Sequence, residues 1–362
     1  MKAIILVGGE ATRLRPLTCN TPKAMVPVLN TPFLEHVICY LNRHQVTEIV
    51  LALSQRQQAI ESYFGDGSQF GIRLRYSVED TPLGTGGAVK NAEKYLNETF
   101  LVLNGDIFTD LDITAMMEFH RDRNAKVTIS LTPVDDPTSY GLVETNAQNK
   151  ITRFIEKPSP NEITTNLINA GIYIIEPDVR THIPPQVSFS FERELFPPLL
   201  DRGEPVYAYP FATYWIDIGA PEKYLQLHRD LLSGKSSRYT PPPERLIGEQ
   251  SHVHPTAQIK GAVVIGDNCN IESKVKLTGP VAIGSGCTIQ SGAIIEDSVI
   301  WHNVQIGYGA VVKSCLLANG CCLNADCIVQ GSTLGDNVVV FNGCQLKPAS
   351  KIWPGTRVEK DT

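Results

Sequence analysis

The last third of the chain repeats every six residues, and that period leaves little choice of fold. Val253, Ile259, Ile265, Ile271, Leu277, Ile283, Ile289 and Ile295 form one series. After a slip around Ile300, Ile306 and Val312, a second runs Leu316, Cys322, Ile328, Leu334, Val340, Leu346, Ile352 and Val358. Four residues after each aliphatic the side chain is usually small: Ala257, Val263, Cys269, Val275, Cys287, Ala293, Cys344, Ser350. A six-residue period is the mark of a parallel β-helix, in which each short strand gives one aliphatic to an interior stack. It also accounts for most of the nine cysteines, seven of which lie between Cys269 and Cys344 with no C-x-x-C pair. At a small inward position a thiol is a compact apolar group, so structural thiols are expected rather than disulfides or zinc ligands.

Up to Leu232 the pattern is different. Ala3 to Val7, Ile49 to Leu53 and Phe100 to Leu103 are apolar runs that predict buried strands. Helical spacing lies between them, over Phe33 to His44, with Leu34, Val37, Ile38 and Leu41 on one face, and over Gly87 to Leu96. Strands alternating with helices predict an α/β, Rossmann-like, mostly parallel sheet covered on both sides. Ligands of such sheets sit at the carboxyl ends of the strands. Ser233 to Gln250, with Ser-Gly-Lys-Ser-Ser and then three prolines, marks a linker. The expected domains are therefore 1–232, a linker 233–250, and a β-helix over 251–362.

Of the 362 residues, 42% are apolar and 19% charged, as in a soluble globular protein. No apolar run reaches the length of a membrane span, and no charged-then-apolar leader opens the chain. A net charge of −6 argues against a nucleic-acid partner, which wants a basic face. A cytoplasmic protein with no membrane attachment is expected.

The first apolar run empties into Leu6-Val7-Gly8-Gly9, and Arg13, Arg15 and Lys23 follow closely. Bare backbone amides plus cations after a strand form an anion site, and the spacing matches neither of the two commonest phosphate loops. Asn104-Gly105-Asp106 ends a strand, and so does Asp217 in Trp215-Ile216-Asp217-Ile218-Gly219. Glu156-Lys157-Pro158 follows the strand-like Ile151 to Ile155.

These motifs in this order resemble the sugar-1-phosphate nucleotidyltransferases, with the GDP-mannose-forming subgroup the nearest match. The resemblance covers essentially the whole chain. Its tail is similar to the left-handed hexapeptide-repeat β-helix family. The resemblance implies transfer of a nucleotidyl group from a triphosphate to a sugar-1-phosphate, with release of pyrophosphate. It places Leu6, Gly8, Gly9, Ala11, Thr12, Arg13, Lys23, Glu79, Pro82 and Gly84 around the nucleotide, with Arg13 and Lys23 on the triphosphate. It implies that Asp106 and Asp217 hold Mg2+, an ion that prefers a few carboxylates plus phosphate oxygens, with Asp106 acting in catalysis. Gly141, Glu156, Lys157 and Asn169 would hold the sugar phosphate. One departure stands out, because the family usually has glycine where this chain has Ala11.

Glu79 bears on the base. A carboxylate accepts from both N1–H and the 2-amino group of guanine, whereas uracil and thymine offer one N–H between two carbonyls. GTP with mannose-1-phosphate is the expected pair. UTP, dTTP or ATP with glucose-1-phosphate is the alternative, and a non-catalytic subunit that senses nucleotide-sugar is another. His252, His254 and His302 raise an acyltransferase reading, but no inserted loop accompanies them. The flat faces of a β-helix suit homo-oligomer assembly.

Overall fold

The computed structural model describes residues 1–9, 11–54, 57–238 and 245–359. The three prolines of the expected linker, residues 241–243, lie outside the described residues. Two compact units divide the chain out of sequence order. One comprises Met1–Gly9 and Val37–Trp215, the other Glu10–His36 and Ile216–Thr362. The segment 1–232 therefore contributes two of its stretches, 10–36 and 216–232, to the unit that contains the repeats.

A nine-stranded sheet organises the first unit. Its first four strands are β1 (Lys2–Leu6), β2 (Glu48–Leu53), β3 (Arg73–Val78) and β4 (Phe100–Asn104). They lie parallel in the order β3-β2-β1-β4. Ala3, Ile4, Ile5 and Phe100 to Leu103 are buried, because central parallel strands are covered on both faces and so carry unbroken apolar runs. Later strands continue the sheet in mixed sense: β5 (Val127–Pro133), β6 (Gly141–Thr145), β7 (Ile151–Glu156), β8 (Leu167–Ile175) and β9 (Val206–Pro210). β8 runs antiparallel to β4, β5 and β6, and β7 antiparallel to β6, while β9 is parallel to β5. The chain winds from β1 to β2 and β3 on one side, then returns to β4 on the other. Winding reverses between β1 and β4, where an open sheet leaves a crevice for ligands.

Helix α1 (Phe33–Arg43) buries Leu34, Val37, Ile38 and Leu41, as their spacing predicts. The helix expected over Gly87 to Leu96 is displaced. It runs as α2 (Gly84–Asn91) and gives way to a 3-10 turn, Glu93–Tyr95. Glycines weaken a helix start in isolation, but here the packing demands them. A Cβ on Gly86 would stand 2.8 Å from Phe189 Cδ1, and one on Gly87 would stand 2.7 Å from Val187 O.

In the second unit the repeats form a parallel β-helix. One ladder is seven-stranded, from His252–Val253 to Arg357–Val358. The spacing is less regular than the sequence pattern suggests. Ile265 pairs with Ile283, eighteen residues on, but Ile283 pairs with Ile300, Ile300 with Leu317 and Leu317 with Leu334, each seventeen on. Three successive coils are one residue short. The second aliphatic series is displaced accordingly, and Leu317, Leu323 and Val329 fill the interior instead of Leu316, Cys322 and Ile328. The series regains register at Leu334, Val340, Leu346 and Val358. Cys315, Cys321 and Cys327 join Cys269, Cys287 and Cys344 in this core. Their thiols donate to carbonyls of the following coil, Cys321 to Gly335 O at 3.1 Å and Cys327 to Phe341 O at 2.9 Å.

One outer face of the β-helix is covered. Val264, Ala282, Val299 and Leu316 neighbour the inward residues and so point outward, yet each is at most 3% exposed. Helix α3 (Pro221–Leu232) packs on strands Lys276–Ile283 and Ile294–Ile300 of this unit. Burying each large aliphatic side chain contributes roughly 1.5–3 kcal/mol. Polar contacts orient the helix: Trp301 Nε1 donates to Tyr224 Oη at 3.0 Å, and Arg229 grips Asp297 with bonds of 2.8 and 2.5 Å.

His228 on α3 is fully buried. Its Nε2 accepts Leu29 N–H at 3.3 Å, and its Nδ1 donates to Tyr224 O at 3.0 Å, an arrangement only the neutral ring satisfies. Burial lowers its pKa to about 4. Burial, with the Arg238 charge behind it, lowers that of His36 to about 4 as well. An unfolded imidazole titrates near ~6.5, so both rings take up protons on unfolding below that pH. Their stabilising contribution is whole above pH ~6.5 and is lost as pH falls towards about 4. Urea melts of the full chain should show stability level above about pH 7 and declining towards about pH 5. The double variant H36Q/H228Q should lose most of that decline.

Candidate active site

In the first unit the ends of β1 and β4 meet. Leu6 pairs with Asn104, and Gly105 N–H donates to Leu6 O at 2.9 Å. Only glycine allows this approach, since a Cβ on Gly105 would lie 2.5 Å from Leu6 O. Asp106 follows, half-buried, at the winding reversal. Gly8 lies against the turn after β2, with Ser54 N 3.2 Å from where its Cβ would stand. Gly9 is exposed, and among the described residues beyond its chain neighbours no atom lies within 4 Å of that position. Glu79 continues this rim, its N–H donating to Leu53 O at 2.8 Å. The Glu79 side chain is buried, and its Oε2 accepts Leu83 N–H at 2.9 Å. It thus closes the turn that carries Pro82 and leads into Gly84. Burial raises the Glu79 pKa, and the Leu83 bond only partly offsets that.

A second group lies on three adjacent strands. Gly141 on β6 pairs with Glu156 on β7, and a Cβ on Gly141 would stand 3.0 Å from Glu156 Oε2. On β8, Asn169 Oδ1 accepts Gly171 N–H at 2.9 Å, while its Nδ2 donates to Tyr173 Oη at 2.8 Å. Lys157 is exposed in the left-handed region, at φ 54. A non-glycine residue before proline rarely occupies that region, and such backbone strain clusters at functional sites.

The sequence patterns missed Glu192. It sits on a π-helix, Phe191–Leu195, a rare element that is frequent at functional sites. Its Oε1 accepts from Tyr173 Oη at 3.1 Å, and its Oε2 from Thr85 Oγ1 at 3.0 Å and Ser190 Oγ at 2.7 Å. Burial, and next the charge of Glu192, raise the pKa of Glu156. No periodicity signals a π-turn, and Glu192 in isolation looks like a solvated carboxylate.

The second unit carries Arg13 and Lys23. Ala11 adopts φ 48 and ψ 36, the left-handed conformation that glycine reaches without strain. Its carbonyl accepts Leu14 N–H at 3.1 Å and Thr18 Oγ1–H at 2.9 Å. The 3-10 turn Thr12–Leu14 buries Leu14 and exposes Thr12 and Arg13. Lys23 opens another 3-10 turn, Lys23–Met25. Asp217 is buried and ion-paired with Lys223 of α3, a partner the motif did not suggest. Gly219 keeps Arg13 and Asp217 accessible to one another, for a Cβ there would lie 2.9 Å from Arg13 Nη2 and 3.0 Å from Asp217 Oδ2.

His302 of the β-helix is a structural residue, its Nδ1 accepting Ser285 N–H at 3.0 Å. His254 Nδ1 lies 2.9 Å from Thr256 Oγ1. Among the described residues, no cluster of three or more His, Cys, Asp or Glu side chains could hold a metal, and no helix is long and apolar enough to cross a membrane.

A winding reversal rimmed by glycines and carboxylates is the place where open α/β sheets bind ligands. Residues 2–234 match the nucleotidyl transferase family and residues 273–362 the GMPPB C-terminal domain. The chain belongs to the nucleotidyl transferase family. Mannose-1-phosphate guanylyltransferase of Mycobacterium tuberculosis (strain ATCC 25618 / H37Rv) is 35% identical over 362 residues, 98% of this chain and 94% of that protein. UTP–glucose-1-phosphate uridylyltransferase of Synechocystis sp. (strain ATCC 27184 / PCC 6803 / Kazusa) is 36% identical over 330 residues, 86% of this chain and 85% of that protein. The crystal structure of HddC from Yersinia pseudotuberculosis complexed with GMP-PN matches with a TM-score of 0.54 at 32% identity, over 62% of this chain and 97% of that one.

Two glycine–alanine exchanges test the local geometry in urea melts. A11G relieves left-handed strain and should stabilise the chain by up to ~1 kcal/mol, the unfolded-state entropy of glycine offsetting part of the gain. G105A forces Leu6 away and should destabilise it by ~2 kcal/mol or more.

Proposed function

We propose that this chain is a magnesium-dependent mannose-1-phosphate guanylyltransferase. An oxygen of the sugar phosphate attacks the α-phosphorus of GTP, the bond from that phosphorus to the β-phosphate bridging oxygen breaks, and pyrophosphate leaves. GDP-mannose is the other product. The attacking oxygen is already ionised, so no general base is required. Catalysis then rests on positioning and charge stabilisation. Arg13 and Lys23 bind the triphosphate and balance the charge that accumulates on the departing pyrophosphate. Lys157 meets the sugar phosphate as a point charge, and Glu156 accepts from sugar hydroxyls. Asn169, both of whose polar atoms are engaged, shapes that wall through its backbone and Tyr173.

Asp106 and Asp217 would hold Mg2+, which supplies charge neutralisation at the phosphates when bound. The donor chemistry suits the ion, with hard carboxylate oxygens, a missing Cβ at Gly219 beside Asp217 Oδ2 and phosphate oxygens from the substrates, and Mg2+ would compete with Lys223 for Asp217.

The observation that carries the guanine reading is Glu79, a buried carboxylate with Oε2 locked onto Leu83 N–H beside the Gly8 turn. The Mycobacterium tuberculosis relative, similar over nearly the whole chain, supports it. The uridylyltransferase relative favours UTP with glucose-1-phosphate as the second reading. Exposed Tyr308 and Trp353 on the β-helix support self-association, and a cytoplasmic location suits these substrates.

Pyrophosphate release across a grid of triphosphates and sugar phosphates, with and without magnesium, tests the proposal. GTP with mannose-1-phosphate should give the highest kcat/KM. Equal or greater turnover of UTP with glucose-1-phosphate would replace the guanine reading, and turnover undiminished by chelation would remove the metal. E79Q should raise KM for GTP about tenfold, the scale of one mismatched hydrogen bond to a charged group, while changing that for UTP far less. Because burial raises the Glu79 pKa, KM for GTP should begin to climb on acidification at a higher pH than a free glutamate would dictate.

A further inference from the structure

The segment that carries Lys23 is fastened to the β-helix on both sides. Before it, Asn20 Nδ2 donates to Asp336 Oδ2 at 3.0 Å. Asp336 is buried and held by Asn319, whose N–H and Nδ2 donate to Oδ1 at 3.0 and 3.2 Å. After it, Asn30 Nδ2 donates to Ile283 O at 2.8 Å. Between these points Trp301 Nε1 bonds Tyr224 Oη, which donates to Pro27 O. Leu29 N–H is taken by His228 of the same helix.

Ile283, Ile300, Leu317 and Leu334 stack in one ladder. Asn30 therefore docks at one coil and Asn20, through Asp336, three coils further along, roughly 14 Å at the ~4.8 Å spacing of neighbouring strands. The segment 20–30 lies along the β-helix axis as on a splint. This is also the face whose outward residues, Val264, Ala282, Val299 and Leu316, are buried.

We infer that the β-helix acts in the reaction by holding Lys23 in place, with Asn20, Asn30, Trp301 and Asp336 as positioning residues for the triphosphate. None of them touches substrate. The inference rests on the role proposed for Lys23, and it predicts an asymmetry between the substrates. The sugar-phosphate residues Gly141, Glu156, Lys157 and Asn169 belong to the sheet unit, so loosening the splint should affect the triphosphate alone.

The test uses the full chain and the variants N20A and N30A, each of which removes one side-chain hydrogen bond, and W301F, which removes the bond to Tyr224 together with part of a buried ring. Amide hydrogen exchange over residues 20–30, measured without substrate, should speed up several-fold while exchange in the β-helix interior stays unchanged. KM for the triphosphate should rise roughly tenfold for N30A and W301F, with KM for the sugar phosphate within about twofold of the parent. N20A, whose side chain is exposed, should show a smaller rise. In N20D/D336N the donor and acceptor are exchanged, and the parent values should return. Adding N30A to K23A should bring no further loss, because both act through one group. Unchanged exchange over 20–30 overturns the inference, as does an equal loss for both substrates accompanied by a lower thermal midpoint. If the parent turns over no substrate pair, the proposed reaction fails, and the exchange measurement still decides whether the splint exists.

Discussion

The outer face of the β-helix is the surface on which the cationic part of the chain is assembled. A β-helix coil buries its inward residues in its own stack, and its outward residues normally meet water. Here Val264, Ala282, Val299 and Leu316 are outward and apolar, so something must cover them. Helix α3 does so, held by Tyr224, His228 and Arg229 to the coils and to the loop before α1. Covering that face ties residues 10–36 and 216–232 to the repeats rather than to the sheet. The chain's own order is overridden by the need to bury one apolar strip.

The sheet unit answers to a different constraint. Leu6, Asn104 and Gly105 form a continuous backbone junction where the winding reverses, and the absent side chain of Gly105 makes it possible. From that junction the rim residues follow in turn: Gly8 against Ser54, Glu79 through Leu53, and α2 through Leu83. On the far side Glu192 ties Tyr173, Thr85 and Ser190 into one network. Part-buried polar networks of this kind help hold a site in one shape, because an unmade bond would leave a partly desolvated group without a partner.

Much of this was legible in the residues. Period-six aliphatics announced the β-helix, and apolar runs alternating with helical spacing announced a mostly parallel sheet. What misled was local. The short coils moved the interior from Leu316, Cys322 and Ile328 to their successors, since a hydrophobic residue on either side of a corner looks equally suitable. The true start of α2 was masked by glycines whose purpose is to admit residues 187–189, a contact some 100 positions away.

Ala11 shows the division most clearly. From the sequence it is a small residue where glycine is usual, a question of room. The backbone turns out to be left-handed there, so the issue is conformational strain rather than space. By itself the sequence determined the two kinds of repeat, hence the two kinds of architecture, because periodicity is set by residues close in the chain. Only the tertiary structure decided that Glu192 underlies the Tyr173–Asn169 pair, that Lys223 neutralises Asp217, and that the Lys23 segment rests on the β-helix. Those are contacts between distant segments, and burial rather than local pattern selects them.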